Sequence, residues 1–509
     1  MGPLSVSDRQ TLLSQLSQPR VWDMVVVCGG ATGLCTALLA AQRGLAVLLL
    51  ESHDFASGTS SRSTKLLHGG VRYLAQGNVS LVREALHERA ALLAQAPELA
   101  HPISFVVPAY RFWERAFYGI GLRAYDWLAG RHSLGATRWL SPAQTRQRLP
   151  AARTEGLRGG VEYWDGQFDD ARLAVAMACT AAAHGALLVN YCEVQSLIHA
   201  GEGAGRRVGG VRCTDRETGR SFDVRARCVV NATGVWVDAL CSADRAAIGR
   251  EDAAMPPVRP MVQPSQGVHL VVDREFLGGD SALLVPHTAD GRVLFAVPWL
   301  GKLILGTTDT PRDDAPRDPW PLREEVDFIL GEAARFLQRP PQRADVKSVW
   351  VGLRPLIRPG RGDDADGGGH TGAISREHAV RVSASGLVTV TGGKWTTCAA
   401  MARDVLRTCA SHGLIDARPA QDDGDDALPR LLVHPQTVDP VAQARHSALH
   451  EYARTVEDVL ARRSRLLFLD AREAQRAGPA VAAALREVTG HDPDLAGFEA
   501  LARQYQTLP

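Results

Sequence analysis

The chain has 509 residues, with 57 lysines and arginines against 56 aspartates and glutamates, for a formal net charge of +1. A hydrophobic share of 45% with 22% charged residues describes a folded chain of two or three domains, at about 150 residues each, and excludes a disordered or fibrous one. The balanced charge argues against a protein that works by gripping nucleic acid phosphates.

Nine cysteines are scattered with no C-x-x-C pair, which suits a reducing compartment and gives no metal-binding spacing. Residues 1–20 are polar, lack the apolar core of a secretory signal, and read as an N-terminal extension. No uninterrupted apolar run reaches about 18 residues, so no spanning helix is expected.

The first strong pattern follows. Met24 to Val27 is a short buried-strand candidate that runs into Cys28-Gly29-Gly30-Ala31-Thr32-Gly33. An alanine- and leucine-rich helix continues to about Gln42, a second apolar strand spans Ala46 to Leu50, and Glu51 closes it. Strand, glycine turn, helix, strand and acid, with the acid about 20 residues after the turn, form a Rossmann-type unit. Glycines let backbone approach a pyrophosphate, the helix N-terminus offers free N–H groups, and the acid takes a ribose hydroxyl. One position departs: Cys28 stands where the first glycine makes the tight turn.

Ser57 to Tyr73 is a dense run of hydroxyls, glycines and cations around His68, richer in hydrogen-bonding groups than a plain solvated loop. Residues 110–128 mix Trp113, Phe117, Tyr118, Tyr125 and Trp127 with Arg111, Arg115 and Arg123 on a predicted amphipathic helix. That pattern suits a membrane interface and also a core-facing helix. From about 150 to 350 short strand-like bursts dominate. Two of the strand-turn stretches, Cys228 to Gly234 and Val388 to Gly393 with Lys394 at its mouth, suit backbone passing close to a nucleotide. Residues 360–372 read as an exposed loop and 416–439 as a linker. The tail, with Val456, Val459, Leu460, Leu466 and Leu467 near helical spacing, reads as a helical domain. Its Arg462, Arg463 and Arg465 are expected on a solvated face.

ASGTSSRSTKLLHGGVRYL, with the unit before it, closely resembles the FAD-dependent glycerol-3-phosphate dehydrogenases. FDDARL at 168–173, NATGVWVD at 231–238, GVHLVVD at 267–273, GTTDT at 306–310, VGLRPL at 351–356, TGGKWTT at 391–397 and the tail 453–465 agree. The resemblance implies an α/β fold: a discontinuous Rossmann-like FAD domain of the glutathione-reductase and D-amino-acid-oxidase type, a mixed-sheet substrate domain, and a helical C-terminal domain. The FAD segments fall at about 21–100, 165–240 and 345–412, the substrate segments at about 101–164 and 241–344, and the helical domain at 440–509.

It further implies oxidation of sn-glycerol 3-phosphate to dihydroxyacetone phosphate, with electrons passed to a membrane quinone. The protein would then be a cytoplasmic one, peripheral on the inner membrane, and a homodimer is one arrangement open to it. FAD would be held by Gly29, Gly30, Ala31, Thr32, Gly33, Glu51, Ser57, Thr59, Ser60, Ser63, Thr64, Lys65, His68, Gly69 and Gly70. Val194, Ala232, Thr233, Gly234, Gly393, Lys394, Trp395 and Thr396 would complete that site.

Alcohol oxidation needs a proton acceptor, and histidine is the natural one near neutral pH, so His68 and His269 are the candidates. A phosphate-bearing substrate needs cations; Arg72 with Tyr73, Arg354 and Lys394 are expected at the substrate end by resemblance. Gln263 and Gln266 stand where the family more often has basic residues, and Cys398 where an aromatic is common, so substrate choice is an open point. The rivals are an oxygen-using oxidase, an oxidoreductase of another small hydroxy compound, and a non-catalytic scaffold that has lost tight flavin binding.

Overall fold

The computed structural model describes residues 8–70, 78–202, 205–248, 260–288, 291, 293–358, 378–416 and 428–509. Arg72, Tyr73 and the loop expected at 360–372 lie outside them, as does most of the first half of the expected linker. The remainder is a mixed α/β chain built on two sheets and a helical C-terminal unit.

The short valine and leucine runs near the N-terminus become the centre of the first sheet. Strand Val21–Val27 pairs in parallel with Val47–Leu50 on one side and with Ser221–Asn231 on the other. Val388–Gly392 then adds in parallel next to Ser221–Asn231, and Leu187–Val189 next to Val47–Leu50. A parallel sheet is covered on both faces, which is why its central strands are continuously apolar rather than alternating. The helix Ala31–Gln42 is buried almost all round between helices Asp170–Ala183 and Cys398–Ser411, and its alanines let three helices approach closely.

The polar N-terminal segment contributes to this core. Helix Arg9–Leu16 buries Leu12, Leu13 and Leu16 in it, while Arg9 donates to Asn190 O at 2.5 Å and pairs with Asp215.

The second sheet is mostly antiparallel. Its long strand Val262–Asp273 carries His269 opposite Gly306 on one neighbour and opposite Trp350 on the other. Two strands that fall within the expected FAD segments pair here. Ser348–Ile357 lies against Val262–Asp273, and Leu66–Leu67 against Gly159–Phe168.

Helices Pro440–His450, Ala471–Thr489 and Leu495–Gln506 enclose a separate core with Val456, Val459, Leu460, Leu467 and Phe468. The expectation that Arg462, Arg463 and Arg465 face solvent is overturned: all three are buried. Arg462 pairs with Asp54, Glu457 and Asp458, Arg463 with Asp54, and Arg465 with Asp169. Burial pushes the Asp54 carboxyl up, but Arg463 and Arg462 outweigh it and hold it below the usual range. Asp54 lies some 400 residues away in sequence, so nothing local to the arginines announces it. The stretch from Leu428 packs as a strap: Leu428 and Leu431 enter the first core, and Leu432 N–H donates to Thr180 Oγ1 at 2.8 Å.

Candidate active site

A cavity of about 630 Å³ runs between the two sheets. Its walls come from the glycine turn and hydroxyl-rich run, from Glu193 to Leu240, from Gly352 to Leu356, and from Val390 to Thr396.

At one end the turn is tight. Cys28 adopts φ +91°, in the left-handed region that favours glycine, so the departure from the fingerprint is accommodated at the cost of backbone strain. Gly33 is required here, because a Cβ at that position would lie 2.0 Å from Cys28 O. Gly29 serves packing rather than the cavity wall: its N–H donates to Glu51 Oε2 at 2.7 Å, and a Cβ would strike the Phe55 ring at 2.5 Å. Glu51 Oε1 accepts from His53 N–H at 2.9 Å, so the carboxylate is fixed at the cavity edge. Ser60 Oγ accepts from Ala31 N–H at 2.9 Å at the helix start. An elongated cleft whose floor is a glycine-tightened helix N-terminus, with a fixed acid one strand away, fits an extended dinucleotide cofactor.

Most of the residues assigned to that cofactor line the cavity: Gly30, Ala31, Thr32, Glu51, Ser57, Thr59, Ser60, Ser63, Thr64, His68, Val194, Ala232, Thr233, Gly234, Gly393, Lys394, Trp395 and Thr396. Lys65 does not. Its Nζ turns inward to Asp170 at 2.8 Å and to Ser61 O at 2.6 Å, over the rings of Phe468, Trp299 and Trp350. Gly69 is drawn away too, its N–H donating to Tyr125 Oη at 2.8 Å, and Gly70, like Gly33, is not among the lining residues.

His68, His269, Arg354 and Lys394, from four separate segments, all line this same cavity. Arg354 lies flat across Gly267, where a Cβ would fall 2.4 Å from its Nη2. Its guanidinium donates to Thr308 O at 3.0 Å and Thr307 Oγ1 at 3.1 Å, and lies 3.4 Å from Asp309. His269 is buried, stacks on Trp350 and contacts Thr64. Burial lowers its pKa well below the ordinary value, and Arg354 and Lys65 add to the effect, so the ring is neutral at neutral pH. Trp395 Nε1 donates to Ser60 O at 2.8 Å, tying the last segment to the hydroxyl run.

The departures at Gln263, Gln266 and Cys398 lie elsewhere. Gln263 donates to Arg312 O, and Gln266 donates to Glu325 and accepts from Arg312. Cys398 is buried beside Cys35. None of the three lines the cavity.

Sequence reasoning missed Arg317, Trp236 and His53 on the wall. Arg317 sits in a Pro- and Asp-rich stretch that reads as a turn. His53 is held neutral, its pKa pushed down to about 3 by burial and by Arg317 and Arg216.

A family model described as FAD dependent oxidoreductase matches residues 23–407, and one described as the C-terminal domain of alpha-glycerophosphate oxidase matches 420–495. The chain is 42% identical over 427 residues to a mitochondrial glycerol-3-phosphate dehydrogenase of Macaca fascicularis, covering 82% of this chain and 56% of that protein. It therefore spans little more than half the length of such mammalian relatives. Its 34% identity to the mitochondrial glycerol-3-phosphate dehydrogenase of Schizosaccharomyces pombe covers 95% of this chain and 87% of that protein.

Among solved structures, the glycerol-3-phosphate dehydrogenase from Bacillus halodurans complexed with FAD matches with a TM-score of 0.76 at 26% identity, over 99% of this chain and 98% of that one. The L-alpha-glycerophosphate oxidase of Mycoplasma pneumoniae with FAD bound, at TM-score 0.59 and 17% identity over 82% and 100%, shares the fold. With the dinucleotide cleft and the match across both of its regions, this chain belongs to the FAD-dependent glycerol-3-phosphate dehydrogenase family.

Proposed function

We propose that this protein oxidises sn-glycerol 3-phosphate to dihydroxyacetone phosphate and passes the electrons to a membrane quinone. The observation that carries the reading is that two histidines, an arginine and a lysine from four separate segments line the same cavity as the glycine turn. Bound FAD supplies the two-electron acceptor.

The chain supplies the rest. Arg354, braced by Thr307, Thr308 and Asp309, presents its guanidinium for a phosphate, and Lys394 adds a second cation. His269, neutral and buried, takes the proton released by the alcohol, with His68 as the other candidate. Trp395 lines the cleft, and Trp350 packs behind the His269 ring.

The acceptor reading rests on the helix Glu114–Ala129 and the turn before it. Phe112 is 82% exposed, Phe117 61%, Ile120 68% and Trp127 81%, with Arg111, Arg115 and Arg123 beside them. Such a band suits an anionic lipid surface. Among the described residues no helix is long and apolar enough to cross a membrane.

Anaerobic titration with sn-glycerol 3-phosphate, read by flavin absorbance, tests the substrate; a flavin that stays oxidised refutes it. The second reading, an oxygen-using oxidase, is favoured by the match of the C-terminal region to an oxidase domain. Stoichiometric peroxide on aerobic turnover, with no reduction of a soluble quinone, would establish it.

A further inference from the structure

Thr64 and His269 meet across 205 residues of chain, with Thr64 Oγ1 2.9 Å from His269 Nε2, and both line the cavity. The imidazole is fixed on its other sides. It stacks on Trp350 with centroids 5.3 Å apart and planes 17° apart. Its Cδ2 edge lies against Gly306, where a Cβ would come within 2.6 Å. Nδ1 is buried with no hydrogen-bond partner among the described residues. The polar contact of this ring is therefore the Thr64 hydroxyl.

That hydroxyl is itself held in place. Asp170, fully buried, accepts from Ser63 N–H at 3.2 Å, Ser63 Oγ at 2.7 Å and Lys65 Nζ at 2.8 Å, and Lys65 Nζ reaches back to Ser61 O at 2.6 Å. The Asp170–Lys65 pair clamps the chain on both sides of Thr64. A buried lysine at positive φ, paired with a buried aspartate, is otherwise an expensive device.

We propose that Thr64 is a catalytic residue whose hydroxyl carries the proton of the substrate alcohol to His269 Nε2. This rests on the reading that an alcohol is oxidised at this cleft. FAD, when bound, would supply the acceptor for the alcohol's two electrons and carbon-bound hydrogen. The alcohol O–H bond breaks as a new Thr64 O–H bond forms, and the proton Thr64 held moves to Nε2. The alcohol becomes a ketone, the imidazole an imidazolium, and Thr64 ends as it began.

The charges around the ring are compatible with this. Arg354 and Lys65 face it; Asp309 stands behind the first and Asp170 behind the second, while Trp350, Gly306 and Thr64 carry no charge. A substrate phosphate on Arg354 offsets that cation and raises the ring's proton affinity when substrate is bound.

The test compares Thr64→Val, Thr64→Ser and wild type as FAD-loaded full chains. Rapid-mixing reduction by sn-glycerol 3-phosphate, with the rate taken per bound FAD, should slow on the order of 10²-fold in Thr64→Val. Thr64→Ser should restore most of the rate. The Val variant should also lose the solvent-deuterium effect on reduction and accelerate with rising pH, as hydroxide replaces the relay. Reduction at the wild-type rate in Thr64→Val overturns the proposal, and so does FAD loss in Val and Ser variants alike.

A wild type that substrate does not reduce refutes the substrate reading instead. In that case histidine-¹⁵N spectra decide the relay: Thr64→Val should move one resonance, the one that His269→Ala removes. An unmoved resonance overturns it.

Discussion

The segment 111–131 and the segment 454–468 are both rich in arginine interleaved with large apolar side chains. In the first, Phe112, Phe117, Ile120 and Trp127 stand in solvent beside Arg111, Arg115 and Arg123. In the second, Val456, Val459, Leu460, Leu467 and Phe468 form a core, and Arg454, Arg462, Arg463 and Arg465 are buried with them. The difference lies in the partners. A buried guanidinium must be paired, and Asp54, Asp169, Glu217, Glu457 and Asp458 supply the carboxylates. Around Glu114–Ala129 the aromatic band stays exposed among the described residues, and the helix is secured from below by Leu122, Tyr125 and Ala129. Equal composition gives a clamp between domains in one place and an open surface in the other.

The largest effect is expected at the clamp. Asp54→Asn leaves Arg462 and Arg463 short of their shared carboxylate and should cost about 3–5 kcal/mol, read by denaturant unfolding. A loss below about 1 kcal/mol would mean that the network is not what holds the C-terminal unit. Next, the paired change Phe117→Asp and Trp127→Asp should lower binding to anionic vesicles by on the order of 10²-fold, about 3 kcal/mol, while moving stability by less than about 0.5 kcal/mol. Unfolding of this pair at reduced denaturant would make the exposed face structural and erase the contrast.

Acid should act on the clamp and spare the open face. Burial raises the Glu457 carboxyl, but Arg462 and Arg317 outweigh it and bring its pKa down to about 2. A depressed folded pKa gives stability that is present above the unfolded value, near 4.5, and is lost as pH falls towards 2. Wild type should lose on the order of 2 kcal/mol through Glu457 across that window, and Glu457→Gln should show a shallower loss. Matching pH profiles for the two would place the acid sensitivity elsewhere. The smallest effect is local to the nucleotide turn: Cys28→Gly should relieve the strain at φ +91° and change stability by no more than about 1 kcal/mol, with FAD retained. Loss of FAD in that variant would show that the thiol is needed.

Where the function of a segment depends on its own backbone, the sequence was legible. The turn from Cys28 to Gly33 and the acid at Glu51 are set by short-range geometry, and both lie where the pattern placed them. His68, His269, Arg354 and Lys394 were singled out on local motifs, and all four line the one cavity. Lys65 was misread because a lysine in a hydroxyl-rich run looks like a cofactor ligand, whereas strand Leu66–Leu67 fixes it facing Asp170 and three aromatic rings. Gln263 and Gln266, suspected at the substrate end, are held instead by hydrogen bonds to Arg312 O and to the Glu325 and Arg312 side chains.

By itself, then, the sequence determined the dinucleotide unit, the α/β class and the family, because fingerprint spacing and apolar runs are local properties that no distant contact alters. Only the tertiary structure decided which charges are buried and which hydroxyl reaches His269. Arg463 meets Asp54 across 409 positions and Thr64 meets His269 across 205, and at such separations the pairing energy depends on how the sheets and the helical unit dock, which no window of sequence contains.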